Sequence, residues 1–200
     1  MPYVIAIAAP PGGGKSTLSK ALAAKLYGAT IVDYDSFQQV TNVNFADVMH
    51  WFQQGCDYDD LDIPGLSVAL SDLKNGKSIQ DPLTGERLPA TEHIVFETPL
   101  GRLHREIGQF IDYLIWIDVP LDIALARNLK AMLAHLPQDN CAPAFVWLDD
   151  YLGNYIAGVH HMLQTQRYRI TPSADIIVNG LNAIDAMVEE IFADITIKLT

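Results

Sequence analysis

The chain has 200 residues, half of them apolar and 18% charged, and its 24 acids against 13 lysines and arginines give a net charge of −11. That composition fits one globular domain with a sizeable core. The negative charge excludes non-specific affinity for nucleic acid or an anionic membrane, and no apolar stretch approaches the ~20 residues of a membrane span.

Tyr3 to Ala9 is an apolar run that reads as a buried strand, preceded only by Met1 and Pro2. That leaves no room for a signal peptide. Cys56 and Cys141 lack metal-ligand spacing, so a cytoplasmic protein with reduced thiols is expected. The strand runs into Ala9-Pro10-Pro11-Gly12-Gly13-Gly14-Lys15-Ser16-Thr17, and Leu18, Ala21, Leu22 and Leu26 then fall on one face of a helix that Gly28 ends. Strand, glycine loop and helix are the context of a phosphate-binding loop. Glycines let successive N–H groups point inward at phosphate oxygens, and the helix adds its positive end. On this reading Pro11, Gly12, Gly13, Gly14, Lys15, Ser16 and Thr17 bind ATP. Lys15 reaches the β- and γ-phosphates and the Ser16 hydroxyl ligates Mg²⁺. Ala9 stands where such loops begin with glycine, and Pro10 and Pro11 stiffen the start.

A second strand is expected over Thr30–Tyr34, with Asp35 at its carboxyl end. A short helix follows over Phe45–Phe52, then an acidic stretch with Asp57, Asp59, Asp60 and Asp62. Pro64 suits a helix start, Leu66, Ala69, Leu70 and Leu73 give its apolar face, and Asn75-Gly76 stops it. Residues 77–92, with Pro82, Gly85 and Pro89, read as an irregular hairpin around Thr84-Gly85. Further strands are expected over His93–Thr98, Tyr113–Val119 and Asp175–Val178, and helices after Pro120, around Leu148–Leu163 and from Ile184. Short apolar strands alternating with helices predict an α/β fold. The expected fold is the P-loop NTPase three-layer α/β/α sandwich, with a mainly parallel five-stranded sheet and a small lid. One domain spans residues 1–200, with a substrate-binding insertion near 38–92 and a lid near 134–147.

In such sheets ligands sit at the carboxyl ends of the strands, which directs attention to the glycine loop, Asp35, Glu97, Asp118 and Asn179. Asp35, one strand from the phosphate loop, is the candidate base that orients an acceptor hydroxyl and takes its proton. Asp33 is the alternative, because strand alternation puts both on one side. A helix N-cap is the bland role for Asp35. Glu97 is placed to order Mg²⁺ through water or to bond the catalytic carboxylate. Arg127, on the polar face of the helix after Pro120, could stabilise charge on the transferring phosphoryl group. His50, His104, His135, His160 and His161 show no catalytic context.

The order of glycine loop, Asp35-Ser36-Phe37, acidic loop, Asn75-Gly76-Lys77, Glu97 and Ala174-Asp175-Ile176-Ile177-Val178 resembles the uridine kinase and phosphoribulokinase family of P-loop kinases over nearly the whole chain. The resemblance implies ATP and Mg²⁺ as cofactors and Asp35 as catalytic aspartate, and puts the sugar-binding acidic loop near Asp57-Tyr58-Asp59-Asp60. Gln38 stands where the family has tyrosine, Thr98 where it has glycine, and the hairpin lacks its Tyr-Asp and His. Residues 133–154 contain none of the lid arginines.

The expected function is therefore transfer of the γ-phosphate of ATP to a hydroxyl of a small metabolite, nucleoside-like or sugar-like. A kinase with a phosphorylated acceptor and a non-catalytic nucleotide-binding regulator are the competing readings. A GTPase is disfavoured, since no Asn-Lys-x-Asp segment occurs. The acidic stretch favours a neutral polyol as acceptor, with Asp57 binding hydroxyls. Arg87, Arg102 and Arg105 are the arginines that could meet an acceptor phosphate, Arg102 because it lies just past Glu97. No nucleic-acid or membrane partner is expected. Oligomeric state stays open, a homodimer included.

Overall fold

A computed structural model describes residues 1–38, 44–134 and 142–199. In chain order it contains β1 (Tyr3–Ala8), α1 (Lys15–Lys25), β2 (Thr30–Asp33), a 3₁₀ turn (Tyr34–Ser36), α2 (Phe45–Gln53), a second 3₁₀ turn (Tyr58–Asp60) and α3 (Leu66–Lys74). Next come β3 (Ile79–Gln80), β4 (Arg87–Leu88), β5 (His93–Glu97), α4 (Arg105–Gly108), β6 (Tyr113–Asp118) and α5 (Leu121–Leu133). The chain closes with α6 (Ala142–Asn154), a π-helical turn (Tyr155–Val159), α7 (His160–Ile170), a 3₁₀ turn (Thr171–Ser173), β7 (Ile176–Asn179) and α8 (Ile184–Leu199).

Five strands form one sheet in the order β2-β5-β1-β6-β7, and every pairing in it is parallel. The two-residue period of β1 divides the core. Val4, Ala6 and Ala8 face one apolar cluster with Leu66, Leu70, Phe96, Leu114 and Trp116. Ile5, Ile7 and Ala9 face another with Leu18, Leu22, Val188 and Ile191. A strand buried on both faces can be apolar throughout, as β1 is, and needs helices on both sides. Thus α1 and α8 cover one face, and α3 with the segments around it covers the other. This is the P-loop NTPase sandwich that the sequence predicts.

Several boundaries differ from expectation. β2 stops at Asp33 rather than Tyr34, because the Asp33 side chain accepts the Asp35 N–H at 3.0 Å and turns the chain into a 3₁₀ turn. The hairpin is real but minimal, two residues on each side, held by Asp81, whose carboxylate accepts the N–H groups of Leu83 and Thr84. α4 has no counterpart in the sequence reading. Of the segment expected as a lid, Ala134 closes α5 and residues 142–147 begin α6, while 135–141, with His135 and Cys141, lie outside the described residues.

Candidate active site

β1 delivers the glycine loop to the centre of the sheet's carboxyl edge. Gly12 and Gly14 have φ of 75° and 96°, a left-handed backbone that a Cβ would strain. A Cβ on Gly12 would also lie 2.0 Å from the Ala124 carbonyl oxygen, so the loop rests directly on α5. Ala9, the departure from the usual glycine, is fully buried against Gly13. Gly14 caps α1, and the Lys15 ammonium folds back to donate to the Ala9 carbonyl at 3.3 Å.

The two strands on one side of β1 bring the acids. Glu97 ends β5 in register with Ile7 of β1 and with Asp33 of β2. It is buried and accepts the Ser16 hydroxyl at 2.7 Å. Burial pushes its carboxyl above the usual range, with Asp33 adding to the shift and Ser16 opposing it. Burial likewise raises Asp33, against the Asp35 N–H that holds it down. Lys15 is pushed below its ordinary value by burial, opposed by Asp35, then Glu97, then Asp33. These residues therefore form one electrostatic unit. Asp33 spends an oxygen on the turn and is half-buried. Asp35 is exposed and, among the described residues, its carboxylate has no hydrogen-bond partner. The N-cap role considered for Asp35 thus belongs to Asp33.

One contributor was missed by the sequence reading. Asp81 in the hairpin turn is buried, accepts the Thr84 and Leu83 N–H groups, and lies near enough to Ser36 for that hydroxyl to act on its charge. Burial would raise its carboxyl, but these donors together hold it below the usual range. The hairpin turn thereby lies beside the turn that carries Asp35. An Asp-Pro-x-Thr-Gly turn is legible in the sequence, but its target is not.

Other expected residues lie elsewhere. Arg102 bonds the carbonyls of Ser173, Ile111 and Asp112 and pairs with Asp175 at 2.7 Å. Asp112 and Asp175 precede β6 and β7, so Arg102 ties the amino ends of the sheet, opposite the phosphate loop. This corrects its expected place beside an acceptor: the chain between Gly101 and β6 has already returned to the far edge. Arg87 is exposed and donates to Ser78 within the hairpin. Asp57 caps the Tyr58–Asp60 turn through the Asp59 N–H. Arg127 donates to the Gly180 carbonyl at 3.0 Å, beyond β7. β7 and β2 are opposite edges of the sheet, about 19 Å apart at the spacing of parallel strands. Arg127 and Asp35 therefore flank the glycine loop from opposite sides. Asp118 is held low by a two-point ion pair with Arg167, at 2.7 and 2.9 Å, and Asn179 caps the turn at Leu181.

The donor set fits a magnesium nucleotide. Mg²⁺ bound to phosphates keeps several waters and takes few protein ligands, and Ser16 with Glu97 supplies one hydroxyl and one carboxylate. No group of three or more metal-binding side chains occurs among the described residues.

No protein-family model and no curated protein matches the chain. Solved structures do. A gluconokinase from Sinorhizobium meliloti 1021 is similar over 98% of this chain and 92% of its own, at 16% identity and a TM-score of 0.54. A shikimate kinase from Aquifex aeolicus vf5 is similar over 98% of both chains, at 17% identity and a TM-score of 0.49. The gluconokinase likeness agrees with the P-loop fold derived from the strand order.

Proposed function

We propose that this chain is an ATP-dependent, Mg²⁺-dependent small-molecule kinase that transfers the γ-phosphate of ATP to a hydroxyl of a neutral metabolite. One observation carries the reading: Lys15 and Ser16 of the phosphate loop share a charge cluster with Glu97, Asp33 and Asp35 at the carboxyl edge. A protein that only binds nucleotide has little use for an exposed carboxylate there that no described residue hydrogen-bonds. The gluconokinase that resembles it in fold carries the name of a small-molecule kinase, in keeping with this class.

The magnesium nucleotide supplies an electrophilic phosphorus and neutralises charge on its phosphates. The loop N–H groups and Lys15 hold those phosphates in place. Ser16 is positioned for the metal by Glu97. Asp35 accepts the proton of the acceptor hydroxyl as its oxygen bonds to phosphorus and the bond to the ADP oxygen breaks. Asp33 positions Asp35 through its backbone N–H. Arg127, on the β7 side, serves the base end of the nucleotide rather than the transferring group.

The acceptor belongs on the β2 side, with the hairpin as its floor. A neutral acceptor is favoured because the arginines of that half are engaged. Arg87 is bonded to Ser78, Arg105 to Asp59, and Arg169 to the Gly55 and Cys56 carbonyls. Turnover measured with MgATP against paired acceptors, each with and without a phosphate, tests this. Preference for the unphosphorylated members is expected. Absence of any transfer across nucleosides, sugars and polyols would sink the reading.

A further inference from the structure

Ser16 is not the only serine that α1 turns toward Glu97. Ser19 follows it by three residues, the spacing that puts two side chains on one helix face. Helical side chains lean toward the amino end, so Ser19 lies over the turn that begins at Ser16. Ser19 is fully buried and its hydroxyl makes no hydrogen bond among the described residues. A serine inside a helix can turn its hydroxyl back to the carbonyl four residues earlier, here that of Lys15, and this one does not. It is nevertheless near enough to Glu97 for the hydroxyl to act on the charge of the carboxylate.

A buried hydroxyl without a partner opposes folding, and alanine has the better helix propensity. Leu18 and Leu22, its buried neighbours on α1, give a hydroxyl nothing to bond. Glu97 does. Its carboxylate is buried, can accept several hydrogen bonds, and among the described side chains is hydrogen-bonded by Ser16 alone, at 2.7 Å. Ser16 has a second duty on the kinase reading, because its oxygen is to face the metal.

We propose that Ser19 is a positioning residue for Glu97, donating its hydroxyl hydrogen to the carboxylate when Ser16 is drawn to the magnesium nucleotide. Serine has one staggered side-chain torsion to change. This role rests on the kinase reading for its use, but the pairing of Ser19 with Glu97 can be measured without nucleotide.

Urea denaturation of the nucleotide-free protein at neutral pH, for wild type, Ser16→Ala, Ser19→Ala and the double variant, reads the pairing. Without Ser16, Glu97 is left to Ser19. Ser19→Ala should then shift the folding equilibrium toward the unfolded chain about tenfold or more, the size of one hydrogen bond to a charged group, and should do little in the wild type. Calorimetric titration with ATP, in magnesium and in EDTA, reads the use. Ser19→Ala should weaken binding of the magnesium nucleotide about tenfold, the scale for removing a group that orients a metal ligand, and leave metal-free ATP binding unchanged. Ser19→Cys nearly keeps the volume with a much weaker donor, so it should behave as Ser19→Ala does. Equal effects of Ser19→Ala in both backgrounds would overturn the pairing. Equal loss of ATP affinity with and without magnesium, unchanged affinity in magnesium, or full recovery by Ser19→Cys would overturn the positioning role. A wild-type protein that binds no ATP would sink the kinase reading and the use assigned to Ser19 with it, while the urea comparison would still decide the pairing with Glu97.

Discussion

Asp35 and Asp33 look interchangeable two residues apart, yet the structure gives them different work. Asp35→Asn should leave ATP affinity near wild type and lower turnover by about 10²-fold or more, the usual size of general-base catalysis. Asp33→Ala should instead lower stability by about 1 kcal/mol, the typical loss of a cap, whereas Asp33→Asn keeps the cap. Urea denaturation and steady-state kinetics on the three variants separate the roles; full activity in a folded Asp35→Asn protein would remove it as the base. Glu97 gives a pH signature. Its folded carboxyl binds protons more tightly than an unfolded one, so its share of stability is full below the ordinary carboxylate range. That share is lost as pH rises through the raised value. Glu97→Gln should therefore raise the melting temperature of the nucleotide-free protein at neutral pH, with the gain fading as pH falls into the ordinary carboxylate range, while phosphate transfer is lost.

At the scale of elements, the phosphate loop depends on α5 as much as on β1. Gly12 combines a positive φ with backbone contact to Ala124 and Asn128, neither of which can move aside as a side chain would. Gly12→Ala should cost about 1–3 kcal/mol, the range for forcing extra atoms into packed structure, and abolish ATP binding measured by calorimetry. Lys15→Ala differs. Its ammonium makes one long contact to a loop carbonyl, so the fold should hold while ATP affinity falls about tenfold or more. Loss of folding in both, or of binding in neither, would contradict this division. Arg127, fixed to Gly180 across the α5–β7 gap, should on change to Ala raise the KM for ATP and leave kcat almost unchanged.

Across the whole molecule, the two edges of the sheet do different jobs. The carboxyl edge gathers the charge cluster, and the amino edge is closed by a polar network in which Lys74 pairs with Asp112, Arg102 with Asp175, and Lys198 with Asp194. Arg102→Ala removes the guanidinium that bonds three carbonyls and pairs with Asp175, whose carboxylate keeps only the Leu114 N–H. It should lower stability by about 2 kcal/mol, in the range for hydrogen bonds to charged groups, and leave the KM of both substrates unchanged. A raised acceptor KM with unchanged stability would return Arg102 to the active site.

The glycine loop, the alternation of apolar strands with helices and the acids at strand ends were readable in the sequence because each is a local pattern: a motif, a period or a turn residue. Leu18 and Leu22 declare α1, and Gly12-Gly13-Gly14-Lys15-Ser16 declares the phosphate loop, whatever they pack against. What only the tertiary structure decided is where long side chains end up. Arg102 is four residues past Thr98 yet points to the opposite edge, because the chain reverses through Gly101 to begin β6. Asp81 is far from Ser36 in sequence, and only the fold of residues 44–92 over the sheet brings them together. Strand order decides the rest: β5 beside β1 puts Glu97 on Ser16, and β2 and β7 at opposite edges separate Asp35 from Arg127. Pairing order is a property of the packed sheet, and no local pattern encodes it.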